Sequence, residues 1–107
     1  MGFGKKMQAA CAIRLLLHAG ELRRVLLVCP KPLVTNWQRE FRLWAPEAPI
    51  TVVEGDHSRR NFQWRHPGAV VTIANYEILL RDREILAEPD VTFDLVVLDE
   101  SQRIKNR

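Results

Sequence analysis

The stretch Phe93-Asp94-Leu95-Val96-Val97-Leu98-Asp99-Glu100-Ser101-Gln102 decides how this chain folds. Five apolar residues, interrupted only by Asp94, end abruptly in two adjacent carboxylates. A short β-branched run without polar alternation has the pattern of a strand buried on both faces, as in a parallel sheet. Burying Asp99 or Glu100 inside such a strand would be costly. The pair therefore belongs at the strand's carboxyl end, where an open α/β sheet places its ligand crevice. One acid there can hold Mg²⁺, a hard cation that prefers oxygen ligands. The other can orient a water for attack on phosphorus. Taken alone, the same run favours a plain strand end with solvated acids, and it is the opposite end of the chain that reverses the balance.

There, Gly2-Phe3-Gly4-Lys5-Lys6 runs directly into Met7-Gln8-Ala9-Ala10-Cys11-Ala12-Ile13-Arg14-Leu15-Leu16-Leu17-His18-Ala19. The second stretch is rich in helix formers and apolar on nearly all sides, which predicts a helix buried by its neighbours, with Gly20 as its stop. A glycine-lysine loop entering a helix N-terminus suits a phosphate group. Small residues let the backbone approach, free amides point at the anion, and the helix dipole assists. Lys5 would add a point charge toward the outer phosphates. The match to the full phosphate-loop pattern is partial, because Lys6 stands where a magnesium-ligating hydroxyl is usual. A basic tail before a helix is the plainer alternative.

Between these ends the chain alternates. Val25–Cys29 reads as a second buried strand, stopped by Pro30-Lys31-Pro32. A helix is expected from about Leu33 to Trp44, with Leu33, Trp37, Phe41 and Trp44 on one stripe that suits a core face better than base stacking. Ile50–Glu54 is a short strand closed by Gly55. Residues 56–66 carry Arg59, Arg60 and Arg65 on what reads as a solvated surface helix or loop, although such a cluster could also meet nucleic-acid phosphates. Ala69–Ala74 is a further strand, and Asn75 is a good cap for the next helix. That helix runs from Glu77 to about Ala87, with Ile78, Leu79, Ile85 and Leu86 inward and Arg81, Asp82, Arg83 and Glu84 outward. Strands alternating with helices imply parallel pairing, right-handed crossovers and helices on both faces of the sheet. The predicted fold class is therefore α/β, and the sheet is expected to be incomplete, with flanking sequence of a longer parent missing on both sides.

Composition agrees with this. The chain has 107 residues, of which 47% are hydrophobic and 27% charged, and its net charge is +3. These values are globular, and the mild positive charge permits a polyanionic partner without requiring one. The two cysteines, Cys11 and Cys29, read as small buried hydrophobes in a reducing compartment rather than a disulfide framework or metal site. Neither His57 nor His66 has a metal-ligand companion nearby in sequence. Runs of membrane-spanning length and a signal-peptide pattern are absent, so a cytoplasmic protein is expected, nuclear in a eukaryote.

Four motifs in order now resemble the Swi/Snf-type DNA-dependent ATPases of helicase superfamily two. They are Met1-Gly2-Phe3-Gly4-Lys5 with Met7-Gln8-Ala9, Leu27-Val28-Cys29-Pro30 with Leu33–Phe41, Thr72–Glu77, and Val97–Asn106. The resemblance spans nearly the whole chain. It implies a P-loop NTPase fold, with residues 1–107 forming part of the first, amino-terminal RecA-like lobe of a two-lobe motor. That motor would hydrolyse ATP with Mg²⁺ and move along double-stranded DNA, the second lobe being absent from this chain. By position, Gly2, Gly4 and Lys5 would bind phosphates, Asp99 would hold Mg²⁺, and Glu100 would polarise the attacking water. Gln102 would couple hydrolysis to the second lobe, and Lys31, Asn75 and Tyr76 would approach the DNA backbone without reading sequence. Lys6 replaces the family's threonine or serine, and Ser101 a usual alanine. The isolated segment is expected to hydrolyse ATP negligibly without the second lobe's arginine finger. Two alternatives stand beside this: a degenerate nucleotide- or DNA-binding module that has lost catalysis, and an unrelated parallel α/β enzyme.

Overall fold

The computed structural model describes residues 2–66 and 68–99, with side chains from residue 6 onward. Glu100, Ser101 and Gln102, and the side chain of Lys5, lie outside the described residues. Four strands, β1 (Val25–Cys29), β2 (Ile50–Val52), β3 (Val71–Asn75) and β4 (Leu95–Leu98), pair in the order β2-β3-β1-β4, all parallel. The register sets Val25 opposite both Val71 and Leu95, so all the carboxyl ends lie along one edge. The helices are α1 (Gly2–His18), α2 (Val34–Trp44), α3 (His57–Arg65), α4 (Tyr76–Arg81) and α5 (Arg83–Leu86), and a single 3-10 turn at Lys31–Leu33 leads into α2.

Successive side chains of a strand point to opposite faces, and here this builds two cores. Val25, Leu27 and Cys29 pack with Ala10 and Ile13 of α1 and with Trp37 and Phe41 of α2. Leu26 and Val28 face the other way, to Trp64 of α3, Ala74 and Ile85 of α5. The α/β fold with helices on both faces is thus as the alternation predicts.

Local signals placed several element ends correctly. Gly20 closes α1 with φ +76°, and two backbone bonds accompany it, Gly20 N–H to Leu17 O at 3.1 Å and Glu21 N–H to Leu16 O at 2.9 Å. This double bond at a left-handed glycine satisfies carbonyls the helix end would otherwise leave open. Asn75 accepts the Ile78 N–H at 2.9 Å, so the last residue of β3 is also the cap of α4.

Four expectations need correction. Helix α1 begins at Gly2 rather than at Met7, so Gly2, Gly4 and Lys5 lie within its first turns. Glycine permits a loop but does not enforce one, and no proline interrupts the helical bonding there. Helix α1 is not buried all round: Leu15 is 69% exposed, because the helix packs through Ala10 and Ile13 and turns its other side outward. Strand β4 is covered on one face only. Leu95 and Val97 join the α1–α2 core, whereas Val96 and Leu98 are about half exposed at 51% and 48%. The reason is position: β4 is an edge strand among the described residues, and α4 packs on β3 and β1. Lastly, the expected helix from Glu77 to Ala87 is two short helices broken at Asp82, which points inward and not outward.

Asp94, the only polar residue in the apolar run, also has a clear role. Its carboxylate accepts the backbone N–H groups of Arg23 and Arg24 at 2.7 and 2.9 Å, and its own N–H donates to Arg24 O at 2.8 Å. It ties the start of β4 to the entry of β1.

Candidate functional site

The carboxyl edge of the sheet is where Asp99 lies. Asp99 follows β4 there, and its backbone N–H donates to Val28 O at 2.8 Å, extending the β1–β4 ladder by one bond. The Trp37 indole N–H donates to Asp99 Oδ2 at 3.0 Å. The Tyr76 hydroxyl donates to the Asp99 carbonyl at 2.9 Å. The ammonium of Lys6, in α1, lies 5.6 Å from the centroid of the Trp37 ring, within range of a cation–π attraction. Through Trp37, then, the first turns of α1 and the end of β4 meet at one place.

Cys29 reports the same convergence. Its thiol is pushed up to about 12, mainly by burial and further by the Asp99 carboxylate, with Lys6 opposing. The thiol therefore stays protonated at neutral pH, as suits a small side chain in an apolar core. Cys29 is the small buried hydrophobe expected, while Cys11 is half-buried.

On the same edge, a cleft of about 530 Å³ opens over the ends of β3 and β2. Lys31, Thr35, Gln38, Glu54, Asn75 and Arg81 are among its lining residues. Lys31 is exposed on the rim. Asn75 and Tyr76 lie at the same edge, but the Asn75 amide oxygen caps α4 and the Tyr76 hydroxyl is directed to Asp99.

A second polar cluster escaped the sequence reading. Arg60 was expected on a solvated face, yet only 6% of it is exposed, and Asp82 is 2% exposed. The two form a bidentate pair, Nε to Oδ2 at 2.7 Å and a terminal nitrogen to Oδ1 at 2.8 Å. Trp64 adds its indole N–H to Asp82 Oδ2 at 2.9 Å, and Arg60 also donates to Gly55 O at 2.9 Å. Burial alone would raise the Asp82 carboxyl, but hydrogen bonds from Arg60 and Trp64 hold it below the ordinary range. The signal was present: Ile78, Asp82 and Leu86 recur at four-residue steps, so Asp82 falls on the apolar stripe, and Arg60 and Trp64 share one face of α3.

The site also fits a magnesium–nucleotide group in its donor chemistry. A carboxylate at the strand end is a hard oxygen donor, and the helix whose first turns approach it has no acidic residue in its first turn to repel phosphate. Among the described residues there is no cluster of three or more side chains that could hold a metal ion, and no helix is long and apolar enough to cross a membrane.

A parallel sheet with helices on both faces, and an acid at the carboxyl edge beside the first turns of a long helix, defines a RecA-like α/β domain. Residues 1–107 match the family model described as the SNF2-related domain, and the chain belongs to that family. It is 35% identical over 116 residues to chromodomain-helicase-DNA-binding protein 1 of Gallus gallus, covering 99% of this chain and 7% of that protein. It is 36% identical over 114 residues to the DNA repair and recombination protein RAD54B of the same species, covering 99% and 12%. Among solved structures, the Sulfolobus solfataricus SWI2/SNF2 ATPase core in complex with dsDNA superposes with a TM-score of 0.79 at 31% identity. That likeness covers 99% of this chain and 21% of the other. The chain thus spans a small part of each protein it resembles.

Proposed function

We propose that this chain is the ATP-binding part of a DNA-dependent ATPase motor, within its first RecA-like lobe, and that the motor couples hydrolysis to movement on double-stranded DNA. The observation that carries this reading is the meeting of Lys6, Trp37 and Asp99, which brings the glycine-lysine end of the chain to the acidic end of β4. Gly2, Gly4 and Lys5 bind phosphates, and the Asp99 carboxylate holds the metal. Glu100 orients and polarises the attacking water, and Gln102 relays the state of the site to a second lobe that supplies the arginine finger. A bound magnesium–triphosphate would supply Lewis-acid polarisation of the phosphoryl oxygens. The matching SNF2-related family and the DNA-bound ATPase core among similar structures support the same assignment.

Titration with ATP, with and without Mg²⁺, tests it. Binding that tightens with Mg²⁺ is expected, and no nucleotide binding under either condition overturns the reading. A second reading, a nucleotide-binding module that has lost catalysis, is favoured by one observation: Lys6 stands in the usual hydroxyl position and turns its ammonium over Trp37. Under that reading affinity is indifferent to Mg²⁺, and Lys6→Thr raises Mg²⁺-ATP affinity by about tenfold, as expected for restoring a magnesium-ligating hydroxyl.

On the DNA side, Lys31 at the cleft rim is assigned a phosphate contact. Lys31→Ala should weaken DNA binding about equally across sequences and reduce the salt slope by about one ion. An unchanged salt slope would remove Lys31 from the DNA path.

A further inference from the structure

We infer that Trp37 and Tyr76 are positioning residues for Asp99, holding it from opposite faces of the sheet. The inference rests on the nucleotide-binding reading above. Trp37 belongs to the core between α1, α2 and the sheet, and Tyr76 packs against the core on the other face. Trp37 fixes the carboxylate at 3.0 Å, and Tyr76 fixes the carbonyl at 2.9 Å. With the Asp99 N–H bonded to Val28 O, the backbone donor, backbone acceptor and side chain of one residue are each held by a different element. A metal-binding carboxylate gains affinity from such outer partners, because they set its orientation before the ligand arrives.

Sequence neighbours of the same two residues line the cleft. Thr35 and Gln38, which line it, flank Trp37 on α2, and Asn75, also a lining residue, immediately precedes Tyr76. Neither side chain lies in the acidic motif, and Trp37 is 62 residues from Asp99 in sequence. In an apolar stripe, Trp37 otherwise reads only as core.

Trp37→Phe keeps a ring in the core and removes the donor. Tyr76→Phe removes the second donor without touching the Trp37 contact. In the full-length protein, the ratio of ATP affinities with and without Mg²⁺ is measured by calorimetry for wild type and each variant. Each substitution is expected to reduce that ratio by about tenfold while leaving magnesium-free ATP binding unchanged. A merely structural loss would weaken ATP binding with and without Mg²⁺ alike and leave the ratio at its wild-type value. A wild-type ratio retained in both variants overturns the positioning role alone. A wild-type protein whose affinity ignores Mg²⁺ overturns the nucleotide reading, and the positioning role with it.

Discussion

Asp82→Ala is expected to lower the stability of this domain by about 3–5 kcal/mol, a large share of what a domain of this size possesses. The cost comes from the partner left behind. Arg60 is 6% exposed and makes its bidentate pair with Asp82, so the substitution strands a buried guanidinium. The Trp64 indole N–H loses its acceptor at the same time. Urea unfolding of wild type and variant measures the difference, and a loss below about 1 kcal/mol, the scale of exposed ion pairs, would show that the cluster is not the buried network described. The pH dependence follows from the depressed Asp82 carboxyl. A folded-state value below the unfolded one means that the pair's contribution is complete above the ordinary aspartate pKa of about 3.9. It is lost as pH falls through the lower folded value. Asp82→Ala should therefore flatten the acid limb of the stability curve.

Asp99→Asn is expected to reduce ATP turnover of the full-length protein by at least about a hundredfold, about 2.7 kcal/mol in barrier height. Asparagine keeps an oxygen that can accept the Trp37 N–H, so the fold and the 3.0 Å contact have a substitute. What it lacks is the negative charge that holds a hard cation. The Mg²⁺-dependent gain in ATP affinity should disappear together with turnover, while the thermal midpoint stays near wild type. Near-normal turnover in a folded variant would take the metal role away from Asp99.

Much of the fold was legible because it rests on local chemistry. The apolar runs at Val25–Cys29 and Leu95–Leu98, the glycine at residue 20 and the cap at Asn75 each carry their own signal. Alternating strands and helices leave little choice but a parallel sheet, since parallel neighbours need a crossover. The place of Asp99 just after β4 was legible too, because the apolar run stops there. Less legible were the residues whose character depends on partners. Arg60 and Asp82 are ordinary surface residues by composition, and only their meeting across 22 positions makes burial tolerable. Val96 and Leu98 have core chemistry yet stand half exposed, because strand order and not sequence decides which strand lies at the edge.

The sequence by itself determined the class of the chain, the direction of its sheet and the place of Asp99 after β4, because periodicity, turn residues and the cost of burying charge act over a few residues. Only the tertiary structure decided that Trp37 and Tyr76 grip Asp99 from two faces, that Lys6 turns over Trp37, and that Asp82 goes inward to Arg60. Those contacts join residues far apart in the chain, and a hydrogen bond of 3 Å exists only once packing has set both partners in place.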